Sequence, residues 1–105
     1  MELDLEQLRK LCTKDRIRVT VHAAKRLEQR QIQLADVMTC ILDGEIIEQY
    51  PEDYPFPSCL VLGFSVENKH LHVVIGTDGN FLFLITAYYP TLEQWEDGFK
   101  KRRER

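Results

Sequence analysis

His22, Arg26 and Arg30 follow one another at intervals of four residues. That spacing puts their side chains on one face of an α-helix, with a drift of about 40° per step. An imidazole beside two guanidinium groups joins proton transfer to anion binding. A second polar set lies far along the chain, His70 and His72 on one predicted strand and Thr86 and Tyr88 on another. If the two sets meet, they form a metal-free site able to cleave a phosphodiester. For RNA, that chemistry needs a base for the 2′-hydroxyl proton, an acid for the leaving oxygen and cations for the charge that develops on the phosphate. His72 is the first choice for acid–base work, with His22 at the helix start as its partner. Arg26 and Arg30 would grip the scissile phosphate, because a guanidinium fork matches phosphate oxygens. The candidate catalytic residues are therefore His22, His72, Arg26 and Tyr88. Arg30, Thr86 and Lys25 are the candidate substrate-binding residues.

Each of these residues also has a structural reading. A histidine between Leu71 and Val73 can simply be a hydrogen-bonded part of a strand. His22 can belong to a helix-start network. Arg26 and Arg30 can pair with Glu45, Glu48 or Asp53, and Tyr88, before Pro90, can be a packed tyrosine. His70, near a turn, is expected to face solvent, and Trp95 to anchor the core. His70 and His72 with His22 could ligate a metal, but no closed ligand motif is present; no cofactor is expected.

The elements that must position these residues follow from periodicity. Leu3, Leu5, Leu8 and Leu11 mark a short amphipathic helix. Arg16 to Val19 reads as a connector. Thr20 can cap a helix from Val21 to about Arg30, and a third helix runs from Leu34 to about Leu42, with Gly44 as its left-handed stop. From Glu45 the pattern changes to strands: Glu45 to Tyr50, Cys59 to Val66, Lys69 to Gly76 and Asn80 to Tyr89, with a proline-stiffened loop at Pro51, Pro55 and Pro57. Thr91 caps an expected final helix through Leu92, Trp95 and Phe99. The predicted class is α+β, with N-terminal helices packed on a small antiparallel meander and a short C-terminal helix. A three-residue Thr77-Asp78-Gly79 turn would set His70 and His72 with Leu84, Thr86 and Tyr88 on one face. Leu71, Val73, Ile75, Phe81, Phe83 and Ile85 would then share the other.

The 105 residues suit one domain, with a core at about 19–95 and a basic tail at 100–105. Hydrophobic residues at 44% and charged residues at 30% read as a soluble globular chain. No apolar run spans a bilayer and no signal peptide is visible, so a cytoplasmic protein without membrane contact is expected. Cys12, Cys40 and Cys59 are sparse and widely separated, which fits buried thiols in a reducing compartment. The net charge of −3 argues against bulk electrostatic binding of nucleic acid, but the charge is unevenly spread. Residues 14–30 carry a local +4, residues 31–57 carry six acids and no Lys or Arg, and the tail from Phe99 is again +4. A basic stripe beside an acidic one can bind a phosphate backbone on one side only.

The ordered set His22-Ala-x-x-Arg26-x-x-x-Arg30-x-Ile32, Val37, Ile41, Gly44-Glu45, Ile47, Tyr50-Pro51, Leu60, Gly63, Leu71-His72-Val73-Val74 and Thr86-x-Tyr88-x-Pro90 resembles a bacterial family, domain-of-unknown-function family four-two-five-eight. The resemblance covers about Val19 to Trp95. It implies kinship with ribonuclease toxins of the RelE/barnase/colicin type, and hence a small RNA endonuclease needing no metal, or an inactive relative. It also implies RNA as substrate and an antitoxin-like protein as partner. Typical toxins of that class are basic, whereas this chain is acidic. The competing expectation is a non-catalytic protein-binding module of the same fold, monomeric or homodimeric, presenting its basic helix or an edge strand to a partner.

Overall fold

Asp4 and Thr20 open the first two helices by capping. The Asp4 carboxylate accepts from the Glu6 amide at 3.1 Å, and the Thr20 hydroxyl from the Ala23 amide at 3.0 Å. Both bonds satisfy amides that a helix start leaves open. In the computed structural model, which describes residues 2–104, the elements run α1 (Leu5–Lys10), β1 (Ile17–Val19), α2 (Val21–Gln29), α3 (Leu34–Asp43), β2 (Glu45–Tyr50), β3 (Ser58–Phe64), β4 (His70–Thr77) and β5 (Leu82–Tyr88). The class is mixed α+β, with three helices and one five-stranded sheet among the described residues. Met1, and Arg105 of the basic tail, lie outside those residues.

The sheet order is β1-β5-β4-β3-β2. Strands β2 to β5 form an antiparallel meander, and β1 joins the edge of β5 in parallel, with Ile17 opposite Leu82 and Val19 opposite Leu84. Residues 17–19 are therefore a strand and not the expected connector. Their alternation was visible, but a parallel partner so far along the chain leaves no local mark. Helix α3 lies on β3 and β4, and α2 beside β5. Between helices and sheet, Val37, Cys40 and Ile41 of α3 meet Val61, Leu71 and Val73, all fully buried. The three cysteines are free and buried. Burial pushes the Cys40 and Cys59 thiols up to about 12, so they are neutral packing groups.

The β4–β5 register corrects one expectation. Near the turn, Ile75 pairs with Leu84, Gly76 with Phe83 and Thr77 with Leu82. Farther out, His72 pairs with Tyr88, Val73 with Ala87 and Val74 with Thr86. The slip between the two halves is a bulge, and a one-residue slip reverses which side chains face the core. Leu82 and Leu84 are thus buried with Ile75, while Phe83 and Ile85 leave the expected apolar side. Phe83 instead stacks on Phe56 at 4.9 Å, and Ile85 is 44% exposed. Leu84 likewise leaves the expected His72 face, whereas Thr86 and Tyr88 stay on it. The three-residue turn gives way to residues 78–81, where the Asp78 carboxylate accepts from the Asn80 and Phe81 amides at 2.8 and 2.9 Å.

Two further expectations are corrected. Gly44 has φ −96°, so it is no left-handed stop; a side chain there would strike the carbonyls of Cys40 and Leu62. Close approach of α3 to the sheet requires the glycine. No helix follows β5 among the described residues. Residues 95–102 turn back on themselves, with Trp95 and Arg102 bridged antiparallel and the Glu96 amide donating to the Lys101 carbonyl at 2.8 Å. Gly98 and Phe99 at the bend both have positive φ, 85° and 59°. Leu92, Trp95 and Phe99 mimic helical spacing, but Asp97-Gly98 is a turn pair set within it, and the turn prevails. Residues 95–103 lie as a strap across the sheet face opposite the helices.

Candidate functional site

Strand alternation builds that second face. Leu62, His72 and Tyr88 stand in one cross-strand row, and Glu48, Leu60, Val74 and Thr86 in the next. His72 is fully buried, with the Trp95 ring edge-on at 4.4 Å. Its Nε2 lies 2.9 Å from the Phe99 carbonyl and its Nδ1 3.2 Å from the Tyr88 hydroxyl. A carbonyl only accepts, so Nε2 carries the hydrogen and the neutral ring accepts from Tyr88 at Nδ1. Burial lowers the His72 pKa below its ordinary value, against the opposing pull of the Phe99 carbonyl and the Glu48 carboxylate. Burial pushes the Tyr88 phenol up. At neutral pH the pair is therefore an uncharged base beside an intact hydroxyl donor.

Arg30 ends α2 and reaches the same face. Its Nη1 donates to the Thr86 hydroxyl at 3.1 Å and to the Ala87 carbonyl at 2.8 Å, on the stretch of β5 beyond its pairing with β1. The structure thus brings Arg30, Thr86, His72 and Tyr88 into adjacent rows. It does not bring His22, Lys25 and Arg26 into contact with them. Those three are exposed on α2, and no hydrogen bond joins them to His72 among the described residues. Arg26 and His22 stand about 6 and 12 Å along the helix axis from Arg30. The two groups form an open basic rim beside a covered polar cluster.

The acids considered as partners for Arg26 and Arg30 are engaged elsewhere. Glu45 pairs with Lys100 at 3.1 Å, Glu48 with Arg102, and Asp53 accepts from the Ser58 hydroxyl at 2.6 Å. Among the described residues neither Lys25 nor Arg26 forms an ion pair. His70 is exposed, as expected, and sits between the rings of Phe64 and Phe99 at 4.7 and 4.9 Å. No three His, Cys, Asp or Glu side chains among the described residues converge on a position for a metal.

Sequence reasoning missed Tyr50 and Arg102 and gave Glu48 the wrong partner. Both Arg102 Nε and Nη2 donate to the Glu48 carboxylate at 3.0 Å, and the Tyr50 hydroxyl donates to it at 2.5 Å. Burial pushes Glu48 up, but the bonds from Arg102 and Tyr50 outweigh it and hold the carboxyl below its ordinary value. Burial and the neighbouring carboxylate push Tyr50 up to about 12. The alternation Glu48-x-Tyr50 places both side chains on one strand face and could have marked them. Arg102 could not be found without the turn at Gly98. No curated protein and no solved structure matches the chain significantly. The family described as a domain of unknown function, DUF4258, matches residues 19–89, more than half of the chain, and the chain belongs to that family.

Proposed function

We propose that the chain is a metal-independent RNA endonuclease of the toxin–antitoxin type, related to RelE-like toxins, with its reacting groups on the second sheet face. The observation that carries this reading is the hydrogen bond from Arg30 to Thr86, which sets the end of the α2 basic stripe beside the His72–Tyr88 pair. With Phe99 moved off Nε2, His72 in its other tautomer donates Nδ1–H to the Tyr88 oxygen and offers the Nε2 lone pair to a ribose 2′-hydroxyl. The 2′-oxygen then bonds to phosphorus. The Nδ1 proton passes to Tyr88, and the Tyr88 hydroxyl proton passes to the departing 5′-oxygen. Arg26 and Arg30 neutralise the charge on the non-bridging oxygens. Lys25 and His22 extend the track for the adjoining backbone. The products are a 2′,3′-cyclic phosphate and a 5′-hydroxyl.

One observation favours a second reading. Both ring nitrogens of His72 are occupied and the ring is buried, as suits a non-catalytic module that presents its basic helix to an antitoxin-like protein. A ribonuclease assay separates the two. Purified protein and its Arg102→Ala variant are incubated with structured and unstructured RNA, with and without chelator, beside His72→Ala. The endonuclease reading expects chelator-resistant cleavage ending in cyclic phosphate, reduced about 100-fold or more in His72→Ala. Intact RNA with folded wild type and Arg102→Ala would reject the endonuclease, and partner binding unchanged in His72→Ala would support the binding module.

A further inference from the structure

The strap bonds to three polar groups of the second face. The Phe99 carbonyl occupies His72 Nε2, Arg102 forks onto Glu48, and Lys100 meets Glu45. Trp95 is 1% exposed, packed between the His72 ring and the Arg102 guanidinium, which lies 4.7 Å from its centroid. The cover is nevertheless held unlike the rest of the fold. Its backbone forms one isolated bridge and no ladder. Its ion pairs are partly open to solvent, with Arg102 60% and Glu48 24% exposed. Phe99 holds its carbonyl on His72 from a left-handed conformation that a non-glycine residue adopts at a cost. Such strain persists only while the surrounding contacts impose it.

What lies beneath is also unlike an interior. A permanently closed layer is filled with apolar side chains, and a buried polar cluster is the informative exception. Here buried His72 is gathered with half-buried Tyr88, Glu48 and Tyr50 on one sheet face, beside the buried Leu60 and Leu62. They all fall within residues 19–89, the stretch shared with the family, and the strap falls outside it.

We propose that residues 95–103 are a removable autoinhibitory strap, latched by the Arg102–Glu48 fork, whose release exposes His72 Nε2. As a control of cleavage this rests on the ribonuclease reading; as a motion it is measured without RNA. An anionic backbone would favour the open form in two ways: it competes with Glu48 and Glu45 for the strap's cations, and it gains Arg30, which reaches that face from the end of α2. Opening is a local event, because the latch involves side chains and leaves the β4 ladder intact.

The test is chemical access to His72. Full-length protein is treated with diethyl pyrocarbonate, and the modified histidines are located by mass spectrometry. His22, exposed on α2, serves as the internal standard. In the wild type, His72 should react far more slowly than His22. In Arg102→Ala its rate should rise about tenfold, the effect of losing one charge-assisted fork, with His22 unchanged. A His72 rate unchanged by Arg102→Ala would overturn the proposal. Hydrogen exchange on the wild type gives a second check that needs no variant. The Glu96 and Arg103 amides, bonded to Lys101 and Gln94, should exchange about 100-fold faster than the Val73 amide in β4. Equal rates would mean that the strap opens only when the whole chain unfolds, and would also overturn the proposal. Exposure of His72 without RNA cleavage would keep the strap and reject the nuclease.

Discussion

The rim of α2 and the face under the strap hold similar residues in opposite states. On α2, His22, Lys25 and Arg26 are exposed and carry no ion pair among the described residues. Under the strap, His72 is buried with both nitrogens bonded, and Glu48 is held by two partners. The side suited to binding an anion is open, and the side suited to moving a proton is shut. Residues 95–103 cover the His72 face, with Lys100 and Arg102 paired to Glu45 and Glu48 on β2. Strand β2 is the sheet edge three strands away from β5, beside which α2 lies, so these acids stand apart from the helix cations.

Substitution should show this contrast most strongly in stability. His72→Ala removes a buried ring and two hydrogen bonds, leaving the Tyr88 and Phe99 groups without a partner. We expect a loss of about 2–4 kcal/mol in urea unfolding. Arg26→Ala, on an exposed helix face, should stay within about 0.5 kcal/mol of wild type. Equal effects at the two positions would remove the distinction.

The pH dependence is the next largest effect. Burial holds the His72 pKa below that of the unfolded chain, so on acidification the unfolded state takes up its proton first. The stability tied to a neutral His72 is full above about pH 6.5 and is lost as the pH falls from there toward the lower folded value. His72→Gln should flatten that limb of the stability curve. At the alkaline end the order reverses for Cys40 and Cys59. Their raised values, about 12, mean stability that is complete below the unfolded thiol range and declines as pH rises above about 9. Replacing both with alanine should remove the thiol-linked part of that decline while lowering stability throughout.

Smaller effects sharpen the role of the latch and the rim. Glu48→Gln keeps the shape of the side chain but removes its charge, and should cost about 1 kcal/mol, read as a shift in the unfolding midpoint. In filter binding to a short RNA, Lys25→Ala with Arg26→Ala should weaken affinity and reduce the salt slope by about 2. An unchanged slope would mean that the rim is not the contact.

Much of this was legible in the residues. Thr20 as a cap, the three helices and the four meander strands all follow from local rules of period and capping, whereas His72, Thr86 and Tyr88 share a face through the bulge at Ile85 and not through the expected turn. What was hidden depended on contacts distant in sequence. β1 needed a parallel partner beyond α2, α3 and three strands. The bulge at Ile85 shifted parity in mid-strand, so Phe83 and Ile85 looked like core residues until their partners were known. The strap concealed itself most fully, because Leu92, Trp95 and Phe99 fit a helix equally well. With that turn misread, Glu48 and Arg102 could not be paired, and His72 could not be seen as covered.

Cleavage of a labelled RNA by the Arg102→Ala protein in chelator, beside the same sequence carrying 2′-deoxyribose and beside the His72→Ala, Arg102→Ala double variant, tests the central claim most directly. The account expects the RNA to be cut to cyclic-phosphate ends, with the deoxy strand and the double-variant reaction both intact. RNA left whole by the Arg102→Ala protein, or cut equally well without His72, would contradict it.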